Sequence, residues 1–571
     1  MKNHEVSELL NEIADYLEIR GELVFKIRAY RKAALVIEGL SEDIEEINKN
    51  GKLEDISSVG EGLAKKIKEF LETGHLRYFE KLKKETPVDI EALGKVEGLG
   101  PKTILKLYKQ LKVKNLKELE KAAKQRKIQK IEGLGPTVEK NILKGIEFAK
   151  VSGKRHLLGY ALFTAEEIRE RLKKLKEAGK VEIAGSLRRR KETIGDVDIL
   201  VSSKQPEKVM DFFTGMKDIA RVLAKGATKS TVQLHDGLQI DLRLIEENKF
   251  GSALLYFTGS KEHNIVLRKI AIKKGMKLSE YGVFDNKTNR VLASKTEEDC
   301  YKKLGLPYIE PEIREDDGEI EAAMKGKLPK LINYNEIKGD VQMHTKWSDG
   351  SNTIEEMALA AKKLGHEYIC ITDHTGTLAI AGALNEKDII RLRKEIDKIN
   401  KKLTDFKVLQ GVEVNIKSDG SLDMKNHVLK ELDVVVASIH SGFKNPKEKI
   451  TERLVKAMEN ENVDFIAHPT GRLINKRPAY DMDFEKVFGK AKETKTLLEI
   501  NSFPERLDLN DAHARAAIKA GVKLIINTDA HNSDQLQFIR LGIATARRGW
   551  ATKNDVINTR GLKDMVKMLK K

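Results

Sequence analysis

The sequence predicts a multidomain protein in which a helical amino-terminal region precedes an α+β region and a carboxyl-terminal α/β barrel. Three observations support this prediction. Gly-x-Gly turns recur before helical patterns in the first 150 residues, and alternating apolar and polar residues between 181 and 245 indicate strands. Beyond Gly339, short apolar runs ending in His, Asp or Glu alternate with helical patterns, which is typical of parallel strands in a barrel.

Length and composition set the class of protein. A chain of 571 residues, 40% of them hydrophobic, is expected to contain several domains with sizeable cores. No apolar run is long enough to span a membrane and the amino terminus lacks a signal-peptide profile, so we expect a cytoplasmic protein. Cys300 and Cys370 are too few and too isolated to indicate a disulfide framework or a zinc knuckle.

The formal net charge of +17 predicts a polyanionic partner if the excess is clustered. Residues 101–200 contain 26 Lys and Arg against 13 Asp and Glu, so this stretch alone carries an excess of 13 positive charges. The clustering favours a nucleic acid as the partner. The alternative is a generally basic protein whose lysine-rich helices are only solvated.

A Gly-x-Gly turn before a helix occurs in segments that begin at Ser58, Val96 and Ile131. Pro101 and Pro136 follow two of these turns, where the first turn of a helix tolerates proline. Backbone N–H groups at such a helix start can bind a DNA phosphate without reading the base sequence. The segments resemble helix-hairpin-helix motifs, although a single Gly-x-Gly is usually only a turn. The glycines expected at the DNA are Gly60, Gly62, Gly98, Gly100, Gly133 and Gly135.

Three carboxylates lie within the predicted strands of the central region. Asp196 and Asp198 are two residues apart in an apolar run, so they share one face of the predicted strand. Asp241 lies in a second run, and its alternation places it on the polar face. Because neighbouring carboxylates repel each other, the three predict a divalent-cation site, which the nearby Gly185-Ser186 and the run 188–190 of arginines adapt to a polyphosphate. The alternative is a solvated pair of carboxylates at a sheet edge.

Two connecting segments are also predicted. The helical pattern TAEEIRERLKKLKEAG is expected to end at Gly179, before the strand at Val181. Residues 316–338, which are rich in acidic residues and carry a proline, are expected to be a linker.

The central motifs resemble those of the family X DNA polymerases, typified by DNA polymerase beta. Gly185, Ser186, Asp196 and Asp198 match the nucleotidyltransferase pattern of that family, and its third metal carboxylate falls at Asp241. The resemblance covers roughly the first 315 residues. It implies a palm and a thumb, with Mg²⁺ or Mn²⁺ bound by the three carboxylates.

The segment YFTGSKEHNIVLR matches the nucleotide pocket of the same family. The resemblance implies that Ser186 and Arg189 contact the triphosphate, and that Asn264 contacts the base edge. Tyr256 and Phe257 would contact the sugar and the minor groove, although both could equally be core aromatics. The implied nucleotide-binding residues are Gly185, Ser186, Arg189, Tyr256, Phe257, Gly259, Asn264 and, on the template side, Arg268.

The segment VFKIRAYRKAA and the first hairpin resemble a domain that binds a 5′-phosphate and removes deoxyribose phosphate through a Schiff base. The resemblance implies that Lys26 and Tyr30 line the phosphate pocket and that Lys66 is the nucleophile. A Schiff base requires a neutral amine, which a cation such as Lys65 would favour by lowering the pKa. Gly62 stands where the animal enzymes carry another lysine. The alternative is a solvated lysine in a domain that only holds DNA.

Potential metal ligands end the apolar runs of the carboxyl-terminal region. Strand-end ligands of parallel strands converge on one rim of a barrel, so this series predicts a multinuclear metal site. A single histidine of this kind would more often be structural. The pattern includes carboxylates such as Asp373 and Glu499 as well as histidines.

This region resembles the PHP domain, a distorted TIM-like barrel with metal-dependent phosphoesterase activity. The resemblance departs at Gln342, where the domain usually has the first histidine of a His-x-His pair. It implies Zn²⁺ or Mn²⁺, or both, in a site of up to three ions. Arg472 and Arg506 remain unassigned cations that are candidates for meeting a phosphate. The implied metal ligands are His344, Asp349, His374, Glu413, His440, His468, Asp529 and His531.

These patterns divide the chain into consecutive domains. The expected boundaries are 1–85 for a lyase-like helical domain, 86–150 for a helix-hairpin-helix fingers-type domain, 151–250 for the palm, 251–315 for the thumb, 316–338 for the linker and 339–571 for the PHP domain.

The function expected from the resemblance is a DNA polymerase that fills short gaps in base excision repair. The PHP domain would add 3′–5′ exonuclease or AP endonuclease activity. The first domain would add 5′-deoxyribose phosphate lyase activity. Expected partners are gapped or nicked DNA with a 5′-phosphate and dNTPs, with no membrane, and the protein is expected to be a monomer. The alternatives are a scaffold that binds DNA ends with an inactive polymerase, and a small-molecule phosphoesterase tethered to DNA.

Overall fold

A computed structural model describes residues 2–38, 40, 44–94, 96, 99–152, 155–376 and 382–569. The chain forms two compact units. The first consists of Met1–Gly153 with Leu473–Pro478, and the second of Lys154–Arg472 with Ala479–Lys571. The predicted multidomain fold class, with its helical, α+β and α/β regions, is confirmed.

The first unit is helical and packs around one core that includes Leu10, Ile13, Leu17, Ile37 and Ile67, all buried. Gly60 and Gly100 are the residues that immediately precede two of its helices, as the turn pattern predicts. The helices are α1 (Lys2–Arg20), α2 (Val24–Glu38), α3 (Ile44–Lys49), α4 (Glu61–Thr73), α5 (Arg77–Glu85), α6 (Ile90–Gly94), α7 (Pro101–Leu111), α8 (Leu116–Lys124) and α9 (Pro136–Ser152).

The region expected to be the palm, and called the palm below, is a mixed sheet with helices against it. Its elements are β1 (His156–Leu157), α10 (Leu158–Lys173), β2 (Ala178–Ile183), α11 (Gly185–Arg188), β3 (Thr193–Ile194), β4 (Asp196–Ser203), α12 (Pro206–Thr214), β5 (Ile219–Lys225), β6 (Lys229–Leu234) and β7 (Gln239–Ile245). The main sheet has the order β2-β4-β7-β6-β5, in which β4 and β7 are parallel neighbours.

The prediction that Gly179 ends a helix is wrong. Helix α10 ends at Lys173, and Gly179 lies in strand β2. A Cβ atom on Gly179 would lie 2.6 Å from the Ser202 hydroxyl, so the glycine allows β2 to pack closely on the neighbouring strand.

The thumb follows the palm. Its elements are α13 (Phe250–Thr258), α14 (Lys261–Lys273), β8 (Met276–Ser279), β9 (Gly282–Asp285), β10 (Val291–Ala293), α15 (Glu297–Lys303) and, beyond it, α16 (Glu319–Met324). Helix α16 lies in the segment expected to be a linker. Ile320, Ala323 and Leu331 of this segment are buried in the thumb core, so the connection to the barrel is a packed structure.

The remaining strands alternate with helices. They are β11 (Gly339–Asp340), α17 (Ile354–Lys363), β12 (Tyr368–Ile371), α18 (Glu386–Lys402), β13 (Lys407–Asn415), α19 (Asn426–Leu429), β14 (Val434–Ser438), α20 (Lys447–Met458), β15 (Phe465–Ile466), α21 (Phe484–Thr494), β16 (Leu497–Asn501), α22 (Asp511–Ala520), β17 (Leu524–Asn527), α23 (Ile539–Arg548) and α24 (Leu562–Val566).

These strands form a parallel sheet whose order follows the chain from β11 to β17. Its two edges meet just beyond the strands, where Met343 and Ala530 form a parallel bridge and the His344 N–H donates to the Ala530 carbonyl at 2.8 Å. The sheet therefore curls into the predicted distorted TIM-like barrel, which places the carboxyl ends of its strands on one rim.

The palm and the barrel share the second unit and pack directly on each other. A Cβ atom on Gly159 of α10 would lie 2.9 Å from the Leu541 side chain of α23. Arg540 of α23 donates two hydrogen bonds to Glu166, at 3.0 and 2.6 Å. Among the described helices, none is both long enough and apolar enough to cross a bilayer.

Candidate active sites

Three carboxylates lie on the neighbouring parallel strands β4 and β7. Asp198 lies directly opposite Asp241 in the parallel register, and Asp196 opens β4. Burial raises the pKa of Asp198 to about 6, with added contributions from the negative charges of Asp196 and Asp241. Lys229 Nζ lies 2.5 Å from Asp241 Oδ2 and partly balances this charge. Clustered carboxylate oxygens of this kind suit Mg²⁺ or Mn²⁺.

Gly185 fits against this cluster in a way that other residues would not. It begins α11 with a positive φ of 65°, and a Cβ atom there would lie 2.6 Å from Asp198 Oδ2. The backbone of Gly185 therefore approaches the Asp198 carboxylate closely.

The predicted nucleotide residues lie around Arg189. Its Nη1 donates to the Thr258 carbonyl at 2.5 Å and its Nε donates to Glu315 Oε1 at 3.1 Å. A Cβ atom on Gly259 would lie 3.1 Å from Arg189 Nη1, so this glycine lies directly against the guanidinium.

The aromatic pair and helix α14 continue this surface. Tyr256 and Phe257 pack edge to face with centroids 5.2 Å apart, and Tyr256 is exposed, as a nucleotide contact requires. Asn264 donates to the Tyr256 carbonyl at 2.7 Å, and Arg268 lies one turn further along α14, on the same face. Sequence reasoning missed Arg243, whose guanidinium lies 4.6 Å from the Phe257 ring centroid.

The proposed lyase residues lie together in the first unit. Lys66 of α4 donates to the Gly62 carbonyl at 2.8 Å, and its Nζ lies 5.1 Å from the centroid of the Tyr78 ring. Burial lowers the pKa of Lys66, and the positive charge of Lys26 lowers it further. Tyr30, one turn beyond Lys26 on α2, is buried.

The cation that acts on Lys66 differs from the expected one. Lys65 pairs with Glu61 at 2.6 Å and faces solvent, so its charge is already compensated. The spacing along the sequence put Lys65 next to Lys66, but consecutive helix residues point in different directions.

The hairpin glycines occupy helix starts. Gly135 directly precedes α9, and Gly133 adopts a positive φ of 80° that favours glycine. Gly62 lies in the first turn of α4. Gly98, predicted to contact DNA, lies outside the described residues.

The predicted barrel ligands converge on one rim, around Glu413. Its Oε2 lies 3.3 Å from His344 Nε2 and 3.5 Å from His374 Nδ1, and its Oε1 lies 3.3 Å from His440 Nε2 and 3.2 Å from His468 Nε2. A single buried carboxylate thus touches four imidazoles.

Two other carboxylates complete the cluster. Asp349 Oδ2 lies 3.4 Å from His531 Nε2 and 3.6 Å from His374 Nε2. Asp529 Oδ1 lies 3.1 Å from His344 Nε2. The groups whose ligand atoms could share an ion are His344-Asp349-His374-His531, His374-Glu413-His440 and His344-Glu413-Asp529.

The donor set fits bound metal ions. Within the described part of the chain, His344 Nδ1, His374 Nδ1 and Glu413 Oε1 are buried and make no hydrogen bond of good geometry, even though Glu413 Oε1 lies close to two imidazoles. Buried polar atoms left in this state are costly, and metal coordination would satisfy them. Imidazole nitrogen and carboxylate oxygen are ligands that Zn²⁺ and Mn²⁺ accept.

Gln342 occupies the position at which the PHP domain, which this region resembles, usually has a histidine. Its side chain forms a hydrogen bond with Glu413. Its Nε2 donates to Glu413 Oε2 at 2.8 Å, while its Oε1 is buried and has no partner among the described residues. The amide oxygen is therefore the atom of Gln342 that remains for a metal ion.

Two strand-end carboxylates support loops. Asp373 accepts from the Thr345 N–H and hydroxyl, both at 2.7 Å. Glu499 accepts from the His468 N–H at 2.7 Å and from Asn527 Nδ2 at 3.0 Å. The strand-end pattern finds these residues but does not tell them apart from ligands.

The two unassigned arginines have different surroundings. Arg472 donates to the carbonyls of Arg506 and Leu507 and to Glu192 of the palm at 2.8 Å, so it connects two parts of the second unit. Arg506 Nε lies 3.3 Å from Asp529 Oδ2 and is the cation beside the ligand cluster.

Models of known families match most of the chain. The matches are a helix-hairpin-helix domain at residues 1–76, a SAM-like helix-hairpin-helix tandem at 90–147, the DNA polymerase beta palm at 162–273, the DNA polymerase beta thumb at 253–315 and the PHP domain at 340–503.

Proteins of two kinds are among those similar to this chain. The DNA polymerase/3′-5′ exonuclease PolX of Bacillus subtilis (strain 168) is 40% identical over 573 residues, which span 100% of both chains. A probable phosphatase of Thermoanaerobacter sp. (strain X514) is 32% identical over 231 residues, covering 38% of this chain and 89% of that protein. A probable phosphatase of Acetivibrio thermocellus is 34% identical over 203 residues, covering 34% of this chain and 79% of that protein.

Proposed function

The chain belongs to the family X DNA polymerases that carry a PHP domain, and we propose that it fills short gaps during base excision repair and trims 3′ ends in its barrel. The placement of Asp198 opposite Asp241, with Asp196 beside them, carries the polymerase part of the proposal. Its substrates are gapped or nicked DNA with a 5′-phosphate and dNTPs, and the protein acts as a monomer in the cytoplasm.

The residues of the palm and thumb have distinct roles in nucleotide transfer. Ser186 and Arg189 bind the triphosphate, Tyr256 and Phe257 contact the sugar side, and Asn264 contacts the base edge. Arg268 faces the template strand. Bound by Asp196, Asp198 and Asp241, Mg²⁺ or Mn²⁺ supplies the Lewis acidity for the 3′-hydroxyl and for the departing pyrophosphate.

The barrel cleaves phosphodiesters as a 3′–5′ exonuclease, as an AP endonuclease, or as both. The convergence of four imidazoles on Glu413 supports this role. Up to three ions of Zn²⁺ or Mn²⁺, or both, supply Lewis acidity to the scissile phosphate and to an attacking water. The residues that hold them are His344, Asp349, His374, Glu413, His440, His468, Asp529 and His531.

The first unit binds DNA through its hairpins and acts as a 5′-deoxyribose phosphate lyase. Lys66 is the nucleophile, since its pKa is lowered by burial and by Lys26. Lys26 and Tyr30 line the phosphate pocket, and the glycines at the helix starts contact the DNA backbone. The boundaries 1–85, 86–150, 151–250, 251–315, 316–338 and 339–571 are our assignment of the domains.

A second candidate for the barrel is a small-molecule phosphoesterase, because the barrel region is similar to proteins named probable phosphatases. One assay distinguishes the candidates: extension and 3′ trimming of a one-nucleotide gapped duplex, measured beside hydrolysis of p-nitrophenyl phosphate. We expect extension and trimming. Hydrolysis of the small ester without trimming would favour the phosphatase, and DNA binding without either reaction would favour a scaffold.

A further inference from the structure

We propose that Arg548 of the PHP barrel positions Arg189 of the palm through Glu315, so that the barrel sets the affinity of the polymerase site for the incoming nucleotide. This inference rests on the proposed role of Arg189 as a triphosphate ligand. Arg548 is a positioning residue in this arrangement, because it reaches the nucleotide only through other side chains.

Arg548 is the last residue of α23. It donates hydrogen bonds to the main chain of Arg189 and to Glu315, the carboxylate that holds the Arg189 side chain. Its Nη1 lies 2.8 Å from the Arg189 carbonyl and 2.9 Å from Glu315 Oε1. Its Nη2 pairs with Asp511 Oδ2 at 2.6 Å, which anchors the guanidinium inside the barrel. Only 7% of the Arg548 side chain is exposed, so these contacts are shielded from solvent screening.

Glu315 is the shared partner. Its Oε1 accepts from Arg189 Nε at 3.1 Å, and the same atom accepts from Arg548. Lys191 Nζ is 3.7 Å away. Burial opposes ionisation of Glu315, but Arg189 and Arg548 outweigh burial and lower its pKa. A charged carboxylate therefore links the palm arginine to the barrel arginine.

These contacts orient the Arg189 fork. Nε is held by Glu315, Nη1 is held by the Thr258 carbonyl, and the Arg189 main chain is held by Arg548. A guanidinium is planar and carries five N–H donors, so fixing two nitrogens fixes the direction of the donors that remain. A triphosphate ligand held in this way loses less side-chain freedom when the nucleotide binds.

A second ion pair between palm and barrel involves none of the nucleotide residues. Arg540 and Glu166 form a two-bond pair at 2.6 and 3.0 Å that joins α23 to α10. This pair has the same charge types, and its Arg540 lies on the same helix as Arg548, so it provides a matched control for general loosening of the two domains.

The test is steady-state filling of a one-nucleotide gap by the full-length protein. The variants are Glu315→Gln, Arg548→Gln, Arg548→Lys, Arg189→Ala and, as the control, Glu166→Gln. We expect Glu315→Gln and Arg548→Gln to raise the KM for the dNTP about tenfold with little change in kcat, the effect of one lost charge-assisted bond. Arg548→Lys keeps the charge facing Glu315 and should give an intermediate KM. Glu166→Gln should leave the KM unchanged, and exonuclease turnover should stay intact in all variants.

Three results would overturn the inference in distinguishable ways. An increased KM in Arg189→Ala with an unchanged KM in both Glu315→Gln and Arg548→Gln would reject the link but keep the role of Arg189. An unchanged KM in Arg189→Ala would reject the triphosphate role and the link together. An equal increase in Glu166→Gln would assign the effect to domain packing and also reject the link. If Arg548→Gln does not fold, Glu315→Gln and Arg548→Lys give the same decision.

Discussion

Asp198 of β4 lies directly opposite Asp241 of β7 in a parallel strand pair. Residues paired in this way have side chains on the same face of the sheet, and Asp196, two residues before Asp198, shares that face. Burial and the two neighbouring charges raise the pKa of Asp198 to about 6, as expected for carboxylates assembled to bind a cation.

Replacement of Asp241 by Asn should abolish nucleotide incorporation. The amide keeps the shape of the side chain but removes the charge of a proposed metal ligand, so extension of a one-nucleotide gap should fall by roughly 10³-fold or more. Binding of the gapped duplex should be nearly unchanged, because we assign the phosphate contacts to the hairpins and the basic stretch. Asp236→Asn, in the turn before β7, is the control. Substantial extension by Asp241→Asn with Mg²⁺ or Mn²⁺ would contradict the assignment.

Loss of a barrel ligand should separate the two chemistries. His468→Ala or Asp529→Ala removes a proposed ligand from the rim, so bound metal, counted by elemental analysis, and 3′–5′ exonuclease turnover should both collapse. Gap filling should survive, and Asp198→Ala should show the reverse pattern. Full exonuclease activity in a metal-depleted His468→Ala protein would show that the barrel is not the nuclease.

Borohydride trapping on an incised abasic site tests the lyase. Lys66→Ala should lose the covalent adduct, because the amine whose pKa is lowered by burial and Lys26 would be gone. Lys65→Ala is the matched control on the same helix, since Lys65 is paired with Glu61. Equal trapping by the wild type and Lys66→Ala would remove Lys66 from this role.

The logarithm of the DNA-binding constant should fall linearly with the logarithm of the salt concentration. We propose that the hairpin glycines and the lysine-rich stretch contact phosphates, so binding should release several counterions and depend little on base sequence. Fluorescence anisotropy with two gapped duplexes of different sequence measures both properties. A flat salt response would count against phosphate binding.

Stability of the second unit should depend on His366 under acidic conditions. Burial lowers the pKa of His366 to about 4, and both ring nitrogens lack partners within the described residues. As pH falls below about 6.5, the unfolded chain takes up a proton that the folded protein resists until about pH 4, so stability declines across this window.

Between pH 7 and the low end of this window, the free energy of unfolding should therefore fall less in His366→Leu than in the wild type. The difference should be on the order of 1 to 3 kcal/mol. Urea unfolding between pH 7 and 4 measures the difference. His427→Leu replaces a histidine whose side chain is 69% exposed, and it should follow the wild type. Parallel pH profiles for His366→Leu and the wild type would show that His366 does not contribute.

The sequence alone determined the local features of this protein. Alternation of apolar residues put Asp196 and Asp198 on one face of a strand, and the strand-end pattern identified the histidines of the barrel rim. Glycine and proline punctuation placed the starts of α4, α7 and α9. These features follow from backbone periodicity and turn chemistry, which depend on residues close together in the chain.

Only the tertiary structure decided the roles that depend on distant neighbours. It showed that burial and the charge of Lys26, rather than the charge of Lys65, lower the pKa of Lys66, and that Gly179 is a strand residue required by the close approach of Ser202. It also showed that Asp373 supports a loop through Thr345. Arg548 donates a hydrogen bond to the carbonyl of Arg189, 359 positions away in the sequence. This contact leaves no local sequence pattern, because it exists only where the barrel packs on the palm. Contacts between residues far apart in sequence arise from packing of the domains, so no window along the chain contains the information that creates them.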